Sequence, residues 1–277
     1  MNNSELENIE MKLLLKAVYD RYGYDFRDYA RASLERRARM FSKKIGREYL
    51  SELIPLILRD ELLFQRLVKE FSITVTELFR DPSSYKKIKE IVFPVLKTYP
   101  FVKIWHAGCA TGEEVYSLAI LLKEEGLYEK TTIYATDFND EALETAKNGI
   151  YSIENMKQCT ANYIAAGGSD VLSGYYFAKH DSVIFDKSLT KNILFANHNL
   201  VADKVFGEMN MIMCRNVLIY FNKELQNKVL NLFFESLVHG GFLCLSNKES
   251  LLFSEVENIF GITDMKEKIY KKLIVNE

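Results

Sequence analysis

The strongest constraint on this chain begins near residue 100. From there, short apolar runs alternate with helix-length stretches. FVKIW leads through a glycine-containing turn into a helix from about Glu113. TTIYATD leads into a helix near 140–147. NILFA and NMIMC follow, then a helix at about 223–238 and a Gly-Gly turn at 240–241 that opens FLCLS. Strands alternating with helices predict an α/β fold with a parallel sheet and right-handed crossovers. Residues 148–191 break the alternation with a helical piece, the flexible AAGGS, and a hairpin of YYFA and SVIF around KHD. That stretch reads as a small insertion on the sheet. Residues 5 to about 75 read as helices. Leu6, Ile9, Leu13 and Ala17 recur at helical spacing, and so do Leu34, Ala38, Phe41 and Ile45. A third helical stretch meets Pro55, which either kinks it or opens the next helix. A further helix is expected from about Asp60 to Phe71.

Composition narrows the function classes. A chain of 277 residues with 48% hydrophobic content can bury about three quarters of its unfolded surface, so it needs no disulfide or metal staple. Its 36 basic and 38 acidic side chains leave a net charge of −2, which argues against bulk electrostatic binding of nucleic acid but leaves room for a local basic patch. No apolar run approaches the ~18 residues of a membrane span, and the start, MNNSELENIEMK, is acidic where a signal peptide is basic. A cytoplasmic protein is expected. Cys109, Cys159, Cys214 and Cys244 form no C-x-x-C pair and are expected to be reduced thiols. His106 and Cys109 lack a second pair of ligands, so no metal site is expected.

Five constellations carry chemistry. HAGCATGEE, residues 106–114, lies between a strand and a helix, where doubly wound sheets bind ligands. Gly108 and Gly112 would let backbone approach a ligand. Glu113 and Glu114 would repel a phosphate and suit a cation, which favours S-adenosylmethionine over a dinucleotide. The alternative is an ordinary tight turn whose helix acids answer the macrodipole. Asp137 ends the next strand and is placed either to accept hydrogen bonds from ribose hydroxyls or to cap a helix. In MIMCRNVLIYF, residues 211–221, Asn216 could bond the cofactor and Tyr220 could face the reacting centre, or the segment could be core. In SITVTELFRDP, residues 72–82, Thr76 and Arg80 are four apart and would share a helix face. Arg80 would then clamp a carboxylate; the alternative is a helix N-cap with a surface salt bridge. Finally, Arg36, Arg39, Lys43 and Arg47 fall opposite the stripe of Leu34, Ala38, Phe41 and Ile45. Residues 24–47 hold eight basic and three acidic side chains. Such a face is either solvated or docks an acidic helical partner or nucleic acid.

Taken in order, LERRARM, TVTELFRDP, WHAGCATGEEVYSLAILL, ATDFNDEALETAKNGIY, NHNL, MCRNVLIYF and GGFLCLSNKESL resemble the chemotaxis receptor methyltransferases, the CheR family, over roughly residues 30 to 252. The resemblance implies an all-α N-terminal domain (1–75) and a class I S-adenosylmethionine-dependent methyltransferase domain of Rossmann-like fold (76–277). The linker motif would span 72–82, and a small antiparallel β-subdomain would be inserted at about 148–191. It implies methyl transfer from S-adenosylmethionine, leaving S-adenosylhomocysteine, to glutamates in the cytoplasmic helical region of methyl-accepting chemoreceptors. By motif, Thr74, Thr76, Arg80, Gly108, Glu113, Asp137, Asn199, Leu200, Asn216 and Val217 correspond to cofactor-binding positions. Tyr220 corresponds to the tyrosine beside the transferred methyl, with Arg80 as its catalytic companion. The helix bearing Arg36, Arg39, Lys43 and Arg47 corresponds to the receptor-recognition face.

Two departures stand out. Thr74 replaces an asparagine that some members carry. The hairpin also lacks the Gly-rich loop of members that grip a receptor's C-terminal pentapeptide, so no such tether is expected. Neither nucleic acid nor membrane insertion is expected. The competing readings are an RNA or small-molecule methyltransferase on the same fold, against which C-R-N-V stands where N/D-P-P-Y/F is associated with base amines, and a scaffold that has lost transfer.

Overall fold

A computed structural model of the chain describes residues 3–72, 76–205 and 207–273, with the side chains of 3, 4 and 155 outside the description. The chain divides into two compact units, Met1–Ile73 with Ile219–Lys228, and Thr74–Leu218 with Val229–Glu277.

The smaller unit is helical: α1 (Asn3–Tyr22), α2 (Arg31–Lys44), α3 (Leu53–Ile57) and α4 (Glu61–Phe71). Asp60 caps α4 by accepting from the Leu63 N–H, and Phe64, Leu67, Val68 and Phe71 form its buried stripe. Pro55 lies in the first turn of α3, where its missing N–H costs little. In α1 the stripe read from spacing is not the buried one. Leu6, Ile9 and Leu13 are 43%, 45% and 52% exposed, and Met11, Leu14, Leu15 and Val18 pack inward instead. Apolar residues flank both sides of this helix, so spacing alone cannot choose the core side. Residues 219–222 join this unit: the Ala30 N–H donates to the Tyr220 carbonyl (2.6 Å), the Asn222 N–H donates to the Asp28 carbonyl (2.8 Å), and Phe221 meets Tyr29 edge-on.

The larger unit opens with α5 (Pro82–Lys87), a π-helical turn at Ile88–Val92 and α6 (Phe93–Leu96). It continues through β1 (Val102–Ala107), α7 (Glu113–Glu124), β2 (Thr131–Asp137), α8 (Asp140–Asn148), β3 (Ile150–Ser152), α9 (Met156–Ala165), β4 (Tyr176–Lys179) and β5 (Ser182–Phe185). It closes with β6 (Ile193–Asn197), β7 (Met209–Cys214), α10 (Lys223–Ser236, its first six residues belonging to the helical unit), β8 (Leu237–Leu245), β9 (Phe260–Asp264) and β10 (Ile269–Lys272). Among the described residues, seven strands pair in the order β6-β2-β1-β7-β8-β10-β9. β6, β2, β1, β7 and β8 are parallel, and β10 runs antiparallel between β8 and β9. The chain leaves β1 outward to β2 and β6, then returns to the other side of β1 at β7. The reversal makes the C-terminal ends of β1 and β7 a topological switch point, where such sheets bind ligands.

The hydrophobic run of β7 is buried throughout, as a strand covered on both faces requires. Trp105 is fully buried and donates its indole N–H to Thr136 Oγ1. The Gly-Gly stretch, expected to be a turn before FLCLS, lies inside β8. Five steps along β8, from Leu237 to Phe242, face two along β7, and Gly240 at φ +73° supplies the bulge. The inserted sheet has the order β3-β5-β4. Its hairpin turns on His180 (φ +52°) and Asp181 alone, because Lys179 still pairs with Ser182.

Candidate active site

The glycine turn is built from three left-handed residues, Gly108 (φ +73°), Ala110 (+47°) and Gly112 (+92°). The N–H groups of Gly108 and Cys109 both donate to the Thr136 carbonyl on β2. The Ala110 N–H donates to the Asp137 carboxylate (2.9 Å), whose other oxygen accepts from the Asn139 N–H (3.0 Å). The structure thus joins the two features that the sequence placed 27 residues apart. Asp137 does not cap α8; Asn139 does, accepting from the Ala142 N–H. Burial raises the Asp137 carboxyl against three backbone hydrogen bonds that lower it, and each oxygen retains lone-pair capacity for a hydroxyl.

The two acids that open α7 have separate fates. Glu114 is buried and ion-paired with Arg215, so its charge is compensated within the protein. Glu113 accepts from Thr111 Oγ1 (2.7 Å), and burial pushes its carboxyl up to about 7. Only Glu113 is left to meet a cationic ligand. Tyr151, from the inserted sheet, donates to the Thr111 carbonyl (2.6 Å) and so fixes this turn from outside.

Thr76 and Arg80 do not share a helix face. The segment is non-helical up to α5, with Phe79 (φ +54°) and Asp81 (φ +52°) left-handed. Pro82 disfavours the α conformation in the residue before it, and outside contacts hold the rest. Ser117 Oγ accepts from the Phe79 N–H (2.8 Å). The Arg215 guanidinium donates to the Arg80 carbonyl (3.1 Å) and to Asp81 (3.0 Å) and lies over the Tyr85 ring. Arg215 therefore ties this linker to β7 and α7, with its side chain wholly buried. The hydroxyl oxygen of Thr76 is buried and has no hydrogen-bond partner among the described residues. Thr74 lies outside the described residues.

Beyond β7, Asn216 is left-handed (φ +60°), and its side-chain oxygen is likewise buried without a partner among the described residues. Val217 packs on the glycine turn so closely that a Cβ at Gly108 would lie 2.5 Å from Val217 Cγ2. Asn199 and Leu200 follow β6. Asn199 Oδ1 accepts from the Val201 N–H, Leu200 is buried, and the preceding His198 N–H donates to the Asp137 carbonyl. Gly108, Glu113, Asp137, Asn199, Leu200, Asn216 and Val217 thus line the C-terminal edge of one sheet. The unpartnered Asn216 oxygen, a buried acid at Glu113 and the Asp137 carboxylate with spare lone pairs fit a ligand with hydroxyls, amino hydrogens and a cationic end.

Residues 74–269 match the domain described as "CheR methyltransferase, SAM binding domain", and residues 9–72 match "CheR methyltransferase, all-alpha domain". The chain belongs to the CheR methyltransferase family. Its cofactor is S-adenosylmethionine, and its fold is the class I methyltransferase fold with an all-α N-terminal domain. Across 272 residues it is 45% identical to a Pseudomonas putida protein provisionally named methyltransferase Cher3, covering 98% of this chain and 100% of that one. It is 28% identical to a chemotaxis protein methyltransferase of Listeria innocua (83% of this chain, 86% of the relative). A chemotaxis protein methyltransferase of Escherichia coli is 25% identical (93% and 89%).

The remaining residues expected at a CheR site lie in the helical unit. Tyr220 is half-buried there, with its carbonyl held by Ala30. Arg36, Arg39, Lys43 and Arg47 are exposed. A groove on α2 is lined by Ala32, Glu35, Arg36, Arg39, Met40 and Lys43. Arg39 is paired with Glu7 and Arg47 lies near Glu52. Arg36 and Lys43 have no ion-pair partner among the described residues. Sequence reading gave no role to Arg215, Asp81, Tyr85, Ser117 or Tyr151, although Arg215 stands in the quoted MCRNVLIYF. A cation between a cysteine and an asparagine in an otherwise apolar strand was the available signal.

Proposed function

We propose that this CheR-family methyltransferase esterifies glutamate side chains in the cytoplasmic helical region of chemoreceptors. The observation that carries the reading is the pairing of the family's cofactor domain with its all-α domain, whose α2 bears an open cationic groove. The names of the Listeria and Escherichia relatives support the same substrate class. No helix among the described residues is long and apolar enough to cross a membrane; association with receptor arrays is part of the same proposal.

When bound, S-adenosylmethionine supplies a methyl group on a cationic sulfur, and its transfer to a carboxylate neutralises opposite charges. Glu113 meets the cofactor's ammonium, and Asp137 accepts from its ribose hydroxyls. Thr76 Oγ1 and Asn216 Oδ1 supply hydrogen-bonding atoms left unused among the described residues. Arg80 holds a carboxylate, of the cofactor or of the substrate. Tyr220 orients the substrate carboxylate. A glutamate is already ionised at pH 7, so no strong general base is required. Positioning and exclusion of water carry the rate. The two-residue hairpin turn of the inserted sheet offers no loop for a receptor's C-terminal peptide, and recognition rests on α2.

The test is incubation with labelled S-adenosylmethionine and, separately, receptor cytoplasmic fragments and RNA. Label on the receptor fragment alone is expected. Label on RNA would overturn the reading.

A further inference from the structure

Glu249 follows β8 and is buried. Its carboxylate accepts four hydrogen bonds: from the N–H of Asn216 (3.1 Å) and of Val217 (2.9 Å), and from the N–H (2.9 Å) and hydroxyl (2.7 Å) of Ser246. Cys214 and Leu245 end β7 and β8 in register, so this side chain bridges the ends of two neighbouring parallel strands at the ligand edge. Two consecutive N–H groups converging on one anion is the arrangement that a left-handed residue creates. Asn216 is that residue. In this conformation the Asn216 side-chain oxygen is buried with no partner among the described residues, and Val217 packs against Gly108. A left-handed non-glycine residue costs energy and persists only where its surroundings over-determine it. Here Glu249 supplies two of those determinants.

We propose that Glu249 is a positioning residue for cofactor binding: it holds the Asn216–Val217 peptide so that the Asn216 amide and the Val217 side chain meet S-adenosylmethionine. The inference rests on the reading that Asn216 contacts the cofactor. In Glu249→Gln an NH2 group replaces one acceptor and opposes at least one N–H donor, leaving a buried donor unsatisfied. The loop then relaxes and its cofactor contacts are lost together.

Calorimetric titration of S-adenosylhomocysteine into the full chain tests this. Glu249→Gln is expected to bind about tenfold or more weakly, and Ser246→Ala, which removes one donor to Glu249, about two- to threefold. Asn216→Gly, which tolerates the left-handed backbone but lacks the amide, is also expected to bind about tenfold more weakly. The Glu249→Gln/Asn216→Gly double variant is expected to bind no worse than the weaker single variant, because both lose the same contact. Hydrogen exchange at the Asn216 and Val217 amides should accelerate in Glu249→Gln. Wild-type affinity in Glu249→Gln, or strictly additive losses in the double variant, would overturn the positioning role. Should Glu249→Gln fail to fold, unchanged affinity in Ser246→Ala does so instead. Wild-type affinity in Asn216→Gly would instead sink the underlying assignment of Asn216 to the cofactor.

Discussion

Glu113 occupies the first position of α7, and burial raises its carboxyl from an ordinary 4.5 to about 7. In the ligand-free protein the group favours folding least when ionised, so its contribution to stability declines as pH rises from about 4.5 through 7. A cationic ligand end reverses this by favouring the carboxylate. A group of pKa about 7 is roughly one-tenth ionised at pH 6 and nine-tenths at pH 8, so affinity for S-adenosylhomocysteine is expected to rise about tenfold over that interval. Calorimetry at the two pH values checks it, and Glu113→Gln should flatten the dependence. Tyr220 allows a separate test. Removing its hydroxyl in Tyr220→Phe should lower turnover about tenfold or more while leaving S-adenosylhomocysteine affinity unchanged, the pattern of an interaction made in the transition state. Unchanged turnover would remove Tyr220 from the chemistry.

At the level of elements, Arg215 is the point where the linker, α5, α7 and β7 meet. Its buried guanidinium has compensating partners in Glu114 and Asp81. Replacing it by Met leaves the buried Glu114 carboxylate without its cation, a change expected to cost about 3–5 kcal/mol. Chemical denaturation should show that loss, and S-adenosylhomocysteine affinity should fall with it as the strained linker relaxes. Arg215→Met/Glu114→Gln should recover part of the stability. Elements also mark where sequence reading succeeds and fails. The strand–turn–helix around Gly108 and the acid at Asp137 are legible because turn geometry and strand ends are local. The contacts of Arg215 are not, since Glu114 and Asp81 lie 101 and 134 residues away and only strand order brings them near. The helix expected between Thr76 and Arg80 fails for the same reason: long-range contacts and Pro82 override a local spacing. On α1, Glu10 is buried and accepts from Ser51 while Leu6 and Leu13 are exposed, an inversion that tertiary packing decides.

Across the molecule, the formal charge of −2 conceals a partition. Part of the basic excess in residues 24–47 is consumed locally: Arg27 is held by Asp25 and Arg31 by Glu35. Arg36 and Lys43 carry the open remainder beside Met40. Charge reversal of both, Arg36→Glu with Lys43→Glu, is expected to lower methyl transfer to a receptor fragment at least tenfold while S-adenosylhomocysteine affinity stays at the wild-type value. The wild-type rate should fall as salt screens that attraction. Equal loss of cofactor binding would show that the surface serves the fold and not the substrate. A glutamate methyl ester is defined by the bond that is made, and the fate of the transferred methyl group reports that bond. After reaction of the protein with methyl-labelled S-adenosylmethionine and a chemoreceptor cytoplasmic fragment, mild alkali should release the label as methanol, and mass spectrometry should place it on glutamate side chains. Alkali-stable label, or label on any other residue type, would rule out glutamate esterification.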